Sequence, residues 1–157
     1  FDHEKNFKVD DFYISKSNKH IFDFLNGWPK WEKNFVNISG EKFSGKTHLI
    51  NIFLKKFKGI KIEANLLKDN DFKKVKISQN IVLENLSKMI NENLFFTLCN
   101  IVEQDNKYLI VTSESSIVNI DFKLNDLKRT GFGIFSLDGL KEEDWKLIKA
   151  FNFEDIK

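Results

Sequence analysis

Short apolar runs alternate along the chain with segments whose apolar residues recur every three or four positions. The short runs predict β-strands, and the segments of longer period predict amphipathic helices. Five strands are predicted, at NFVNI (34–38), GIKIEA (59–64), NIVLEN (80–85), KYLIVTS (107–113) and GFGIFSL (131–137). Because these runs are mostly apolar and separated by helices, we expect a five-stranded parallel sheet covered on both faces, which is a three-layer α/β/α domain.

The helices are predicted from one-sided apolar stripes. In the first helix Ser17 is a candidate N-cap, and Pro29 follows the helix end. The stripes of the first three long helices are Ile21, Phe22 and Leu25; Leu49, Ile50, Ile52, Phe53 and Phe57; and Leu94, Phe95, Leu98, Ile101 and Val102. A last helix is predicted after Asp138, and the segments 66–74 and 122–130 are predicted to be short helices, turns or loops.

The composition fits a single domain over residues 1–157. The chain is 41% hydrophobic and 31% charged, and no apolar run approaches the roughly 20 residues that span a membrane. A net charge of +2 is too small to argue for nucleic-acid binding. Cys99 is the single cysteine, which excludes an internal disulfide and fits a reducing compartment. The three histidines show no metal-ligand spacing.

Ligands on parallel sheets bind beyond the carboxyl ends of the strands. One such position holds GEKFSGKT, in which Gly40, Gly45, Lys46 and Thr47 match a phosphate-loop pattern. Glycines allow successive N–H groups to point at phosphate oxygens, Lys46 would bridge the β- and γ-phosphates, and the Thr47 hydroxyl would ligate Mg²⁺. The alternative is a lysine-rich turn between a strand and a helix.

Glu84 and Asn85 end the strand NIVLEN and form the second candidate group. A carboxylate at the end of a neighbouring strand holds the Mg²⁺ shell in P-loop ATPases, so Thr47 and Glu84 are the expected metal residues. Active ATPases of this kind usually carry a second acid, and Asn85 has no basic oxygen that could act as a general base. We therefore expect nucleotide binding with weak or no intrinsic hydrolysis. The alternative is a core strand with a polar end.

Four segments resemble the DnaA/Hda branch of the AAA+ ATPases. They are GEKFSGKTHL (40–49), DDFYISKSNKHIFDFLNGWPKW (10–31), NIVLENLSKMINENLFFTLCNIVEQDNKYLIVTS (80–113) and LNDLKRTGF (124–132). The resemblance covers nearly the whole chain, and it is closest to the Hda-type regulators of alphaproteobacteria. It implies an AAA+ core that binds ADP or ATP with Mg²⁺.

The resemblance also assigns roles to segments. It implies an adenine-side segment (10–30), a phosphate loop (39–48), an acidic strand (80–85) and a sensor strand (108–114). The nucleotide-binding residues that it implies are Tyr13 and Ile14 near the base, with Gly40, Glu41, Lys42, Phe43, Ser44, Gly45, Lys46, Thr47 and His48 around the phosphates. Thr112, Ser113 and Glu114 lie where the γ-phosphate sensor of the family sits.

The function that the resemblance implies is regulatory. Hda-type proteins associate with the DNA-loaded sliding clamp and stimulate ATP hydrolysis by the initiator DnaA, which restrains re-initiation of DNA replication. We accordingly expect a bacterial cytoplasmic protein whose partners are DnaA and the clamp, with only indirect DNA contact and no membrane contact; self-association stays open.

The sequence also departs from the family. Arg129, the only arginine, is a candidate arginine finger that would reach the nucleotide of a neighbouring subunit, although it lies one place early and Thr130 occupies the family's finger position. The N-terminal clamp-binding motif and the helical lid are expected to be absent from this sequence. Two other functions therefore stay open: the ATPase core of a DnaA-like initiator or helicase loader, and a degenerate P-loop domain that binds only protein.

Overall fold

Parallel pairing joins all five predicted strands into one sheet in the order β2-β3-β4-β1-β5. The structure is a computed structural model, and it describes residues 18–123 and 131–137. The strands are β1 (Phe35–Ser39), β2 (Ile60–Glu63), β3 (Asn80–Leu86), β4 (Tyr108–Ser113) and β5 (Gly133–Ser136). The helices are α1 (Lys19–Asn26), α2 (Lys46–Phe57), α3 (Phe72–Ile77) and α4 (Glu92–Gln104). The predicted five-stranded parallel α/β fold is confirmed.

The strands are apolar on both faces because helices cover both faces. On one face, α1 and α2 bury the predicted residues Ile21, Phe22, Leu25, Leu49, Ile50, Ile52 and Phe53 against Val36, Ile38, Val82 and Ile110 of the sheet. On the other face, α4 buries Phe95, Leu98 and Val102 against Ile81, Leu83, Leu109 and Val111. Alternate residues of β1 and β3 therefore belong to two separate cores, as a three-layer domain requires.

Element boundaries differ from the prediction by one or two residues at several places. Helix α1 begins at Lys19, so Asn18 is the N-cap instead of the predicted Ser17. Strand β1 runs one residue further, to Ser39, and β3 runs to Leu86 through an irregularity of register after Leu83. The predicted helix after Asp138 and most of the segment 122–130 lie outside the described residues. Within residues 18–123 and 131–137, no helix is long and apolar enough to cross a bilayer.

Cys99 lies on α4 and packs against the core of that face. Burial, and then the charge of Glu103, raise the pKa of the Cys99 thiol to about 12. Because the reactive form of cysteine is the thiolate, this thiol is unreactive near neutral pH.

Asn37 is a fully buried polar residue on β1, and it ties β1 to the end of β4. Its Nδ2 donates to the Val111 carbonyl oxygen at 3.1 Å and to Ser113 Oγ at 3.0 Å. Its Oδ1 accepts from the Ile117 N–H at 2.8 Å. These three bonds fix the turn that follows β4 against the strand that leads into the glycine-rich loop.

We predict that Asn37→Ala lowers the free energy of unfolding by roughly 2–3 kcal/mol, because it removes three hydrogen bonds and leaves the buried Ile117 N–H without its acceptor. Urea unfolding followed by circular dichroism measures the change. Asn93→Ala is the matched control, since Asn93 is exposed on α4 and should stay within about 0.5 kcal/mol of the parent. Equal stability of the two variants would contradict the role given to Asn37.

Candidate functional site

The loop between β1 and α2 is anchored between two strands of the sheet. The Gly40 N–H donates to the Ser113 carbonyl oxygen of β4 at 3.0 Å, and the Leu137 N–H donates to the Ser39 carbonyl oxygen at 2.7 Å. A Cβ atom at position 40 would lie 2.4 Å from the Leu137 carbonyl oxygen. Only glycine fits where the loop leaves the sheet.

Helix α2 begins at the end of this loop. Gly45 is its N-cap with a φ of 103°, a left-handed conformation that glycine adopts without steric cost. The first turn of α2 carries no acidic side chain. The unpaired N–H groups and the positive end of the helix dipole at Lys46 therefore point toward the loop, which is an arrangement that favours anions.

Lys46 is buried and folds back over the loop. Its Nζ donates to the carbonyl oxygens of Gly40 and of Glu41, the latter at 2.8 Å. Burial lowers the pKa of Lys46 below its usual value, while the carboxylates of Glu114 and Glu84 act in the opposite direction. The ammonium group thus sits at the centre of the loop, held only by neutral carbonyl oxygens among its described hydrogen bonds.

Thr47 and Glu84 meet across α2 and β3. The Thr47 Oγ1 donates to Glu84 Oε2 at 3.2 Å, and Lys61 Nζ lies 3.5 Å from Glu84 Oε1. Glu84 is only 6% exposed, whereas Thr47 is open to solvent. A hydroxyl and a carboxylate brought together by two elements form the all-oxygen type of ligand set that suits Mg²⁺. The chemistry of these two residues fits that ion, although the described residues hold no cluster of three or more His, Cys, Asp or Glu.

Asn85 occupies an irregular position immediately after Glu84. Its φ is 60°, and its N–H donates to Thr112 Oγ1 at 3.0 Å. Its Nδ2 donates to both carboxylate oxygens of Glu63, at 3.0 and 3.2 Å. Sequence reasoning missed Glu63, although one signal was available, since Glu63 ends a predicted strand as Glu84 does.

The end of β4 and the residues that follow it form the third side of the site. Thr112 and Ser113 are buried, and Ser113 Oγ donates to the Ser115 carbonyl oxygen at 2.6 Å. Strand β4 ends at Ser113, so Glu114, which the predicted sensor strand 108–114 included, lies just beyond the observed strand and is exposed. Thr112 contacts Asn85 through its hydroxyl, which links the sensor position to the acidic strand.

A cleft of about 890 Å³ opens between these three strand ends. Of the predicted residues, the cleft is lined by Lys42, Phe43, Gly45, Lys46, Thr47, His48 and Glu114, together with Asn85. Gly40, Glu41 and Ser44 lie in the same loop without lining the cleft, and Glu84, Thr112 and Ser113 lie behind its surface. Tyr13, Ile14 and Arg129 fall outside the described residues. The volume is in the range of small-molecule sites.

Comparison with solved structures identifies this fold. AMPPCP-bound DnaA from Aquifex aeolicus superposes with a TM-score of 0.78 at 16% identity, over 95% of this chain and 55% of that chain. Domain III of the Thermotoga maritima replication initiation protein DnaA gives 0.67 at 15% identity, over 91% and 71% of the two chains. DnaI gives 0.64 at 10% identity, over 85% and 88%.

The chain spans about half the length of the DnaA protein from Aquifex aeolicus, 55% of it. No protein-family model and no curated protein sequence matches the chain. At these identities the superpositions show a shared fold and nothing finer. The described chain shares its α/β fold with DnaA, and DnaI is a further structural neighbour.

Phe43 offers a test of the loop conformation, since it is fully exposed with a φ of 63°. Because a Cβ atom is strained in this region and glycine is not, we predict that Phe43→Gly is more stable to urea than Phe43→Ala by about 1 kcal/mol. The matched pair is Glu41→Gly and Glu41→Ala, at a loop residue without positive φ, where alanine should be more stable by about 0.4–1 kcal/mol. Alanine being the more stable at both positions would contradict the left-handed loop.

Proposed function

We propose that this domain binds an adenine nucleotide, with the phosphates held by the loop from Gly40 to Thr47. The observation that carries the proposal is the position of Lys46, a buried ammonium group inside a glycine-shaped loop at the start of α2. An anion at this point would receive the ammonium charge and the helix N–H groups together. Ser44 Oγ is buried in the same loop and has no hydrogen-bond partner among the described residues, so it is a further free donor.

The fold supports adenine as the base, because a DnaA protein of the same fold binds AMPPCP. Tyr13 and Ile14 are proposed to lie near the base, and ADP or ATP are the nucleotides we propose. Mg²⁺ would be held by Thr47 and Glu84, and it would neutralise phosphate charge. Thr112, Ser113 and Glu114 are proposed to sense the γ-phosphate.

Intrinsic hydrolysis is proposed to be slow. The residue after Glu84 is Asn85, whose amide cannot accept the proton of an attacking water. Its nearest carboxylate, Glu63, reaches the site through that amide and does not line the cleft. The position after Glu84 therefore supplies no direct general base.

For the biological role we propose an Hda-type regulator that promotes ATP hydrolysis by a DnaA initiator from the sliding clamp. The resemblance of the four sequence segments supports this role, and so does the shared DnaA fold. Arg129 is proposed to reach the nucleotide of DnaA, because its planar guanidinium offers a bidentate fork that none of the many lysines can copy. DNA contact would be indirect, through the clamp, in the bacterial cytoplasm.

A helicase loader or the ATPase core of an initiator is the second candidate. Its support is the shared fold, since DnaI and DnaA are both structural neighbours of this chain. A contact module without nucleotide is the third, and it requires that the loop around Lys46 bind no phosphate.

We predict that ADP or ATP with Mg²⁺ raises the free energy of unfolding by roughly 2.7 kcal/mol when the ligand is at a hundredfold excess over its Kd. Thermal unfolding with calorimetric titration measures the shift and the Kd. Lys46→Ala should abolish it, because the central ammonium group is removed. Lys55→Ala, at an exposed position in the last turn of the same helix, should keep it.

The same experiment separates the candidates. A folded parent protein whose unfolding temperature does not move with nucleotide would support the contact module and contradict the proposed site. A shift that survives in Lys46→Ala would show that nucleotide binds elsewhere.

We predict that the chain accelerates ATP hydrolysis by DnaA in the presence of a DNA-loaded clamp, and that Arg129→Ala removes at least about 90% of the acceleration, since an arginine finger contributes ~10³-fold or more. Lys128→Ala is the neighbouring control and should retain full acceleration. Phosphate release by DnaA is the readout. Unchanged acceleration by Arg129→Ala would rule out the finger, and no acceleration by the parent chain would favour the loader.

A further inference from the structure

Strand β2 ends in a carboxylate that stands beside Asn85. Glu63 is the register partner of Glu84 across β2 and β3. Side chains of register partners in neighbouring strands lie on the same face of a sheet. Asn85 Nδ2 donates to both oxygens of Glu63, at 3.0 and 3.2 Å. The chain therefore places an acid one hydrogen bond away from the position at which the second acid is missing.

Asn85 is held at both its backbone and its side chain. Its N–H is bound by Thr112 Oγ1, and its side-chain nitrogen is bound by Glu63. With the nitrogen committed to Glu63, the Oδ1 atom is left as the acceptor of this amide. Asn85 also lines the cleft that contains Lys46 and Thr47, so it is the member of the pair that borders the proposed phosphate site.

Both oxygens of the Glu84 carboxylate have a neighbouring polar partner. Thr47 Oγ1 donates to one of its oxygens, and Lys61 Nζ lies 3.5 Å from the other. Lys61 is itself fixed by Asn51 Oδ1 at 3.0 Å. Glu63, in contrast, is exposed, and the hydrogen bonds that the structure describes for its carboxylate are those from Asn85.

We propose that Glu63 is a positioning residue for ATP hydrolysis, acting through Asn85; this inference rests on the nucleotide site proposed above. The Glu63 charge orients the Asn85 amide, and Asn85 Oδ1 accepts a hydrogen bond from the attacking water. The water oxygen bonds to the γ-phosphorus while the bond to the bridging oxygen breaks, and that electron pair leaves with ADP. Both water hydrogens end on the inorganic phosphate, so neither Asn85 nor Glu63 gains a proton.

Slow hydrolysis follows from the same arrangement. An amide that is polarised by a carboxylate can orient a water but cannot take its proton, whereas a carboxylate at position 85 could do both. The pair Glu63–Asn85 therefore orients the attacking water without deprotonating it, which activates the water only weakly.

The test is single-turnover ATP hydrolysis by the full chain in excess over ATP and Mg²⁺, with the ATP Kd measured in parallel. Glu63→Gln keeps an acceptor for Asn85 and removes the charge. It should lower the hydrolysis rate at least about 10-fold and change the Kd less than about 2-fold. Glu32→Gln is the matched control, since Glu32 is exposed ahead of β1 and should leave the rate unchanged.

A double exchange, Glu63→Asn with Asn85→Glu, reverses the donor and the acceptor and moves the acid to the cleft. Its hydrolysis rate should equal or exceed that of the parent chain. A purely structural bond predicts a different result, in which Glu63→Gln hydrolyses ATP at the parent rate.

Two outcomes overturn the inference while leaving the nucleotide site intact: Glu63→Gln with the parent rate, or a parent chain that binds ATP and hydrolyses none above buffer. Failure of ATP to bind in the parallel titration refutes the nucleotide site itself, and the inference with it. A rate that falls together with ATP affinity in Glu63→Gln also overturns it, because that result assigns Glu63 to binding.

Discussion

The register of the parallel strands decides where every group of the cleft lies. Ser39 pairs with Ser113, and Glu63 pairs with Glu84, so the strand ends that carry the loop, the acids and the sensor residues reach one edge of the sheet. A slip of one residue in β3 would turn Glu84 from the α2 face to the α4 face, away from Thr47. The buried Asn37 opposes a slip between β1 and β4, since its hydrogen bonds fit only one register.

The loop illustrates how a charged side chain is accommodated in a buried position. Lys46 loses water on burial, which lowers its pKa, and two backbone carbonyl oxygens replace part of the lost hydration. Carbonyl oxygens are neutral, so the opposite charge near this ammonium group comes from the carboxylates of Glu114 and Glu84. A phosphate would add negative charge without any movement of Gly40, whose position is fixed by Ser113 and Leu137.

Sequence alone gave the strands, the sheet type and the loop, because each of these depends on residues close together in the chain. The apolar runs and the glycine-lysine-threonine pattern are local signals, and α2 begins at the lysine of that pattern, Lys46. The contacts of Lys61 and Glu63 could not be read in this way, since they depend on β2 being the neighbour of β3. The N-cap of α1 was placed one residue early because Ser17 and Asn18 are both residue types that cap helices, and the sequence does not choose between them.

Asn85 shows how a residue can be identified correctly and its surroundings missed. Because asparagine replaces an acid at this position, the sequence indicates that a general base has been lost. The structure adds that Asn85 has a positive φ and that hydrogen bonds from its backbone N–H to Thr112 and from its side chain to Glu63 fix the orientation of its side-chain amide. Asparagine tolerates a left-handed conformation better than most residues do. This conformation interrupts the alternation of side chains between the two faces of β3, and the Asn85 side chain turns toward β2. A glutamate at position 85 would meet the charge of Glu63 at the same distance, and the two carboxylates would repel each other. An asparagine at position 85 and a glutamate at position 63 are therefore best understood as one pair, in which changing either residue alone removes what the other is placed to do.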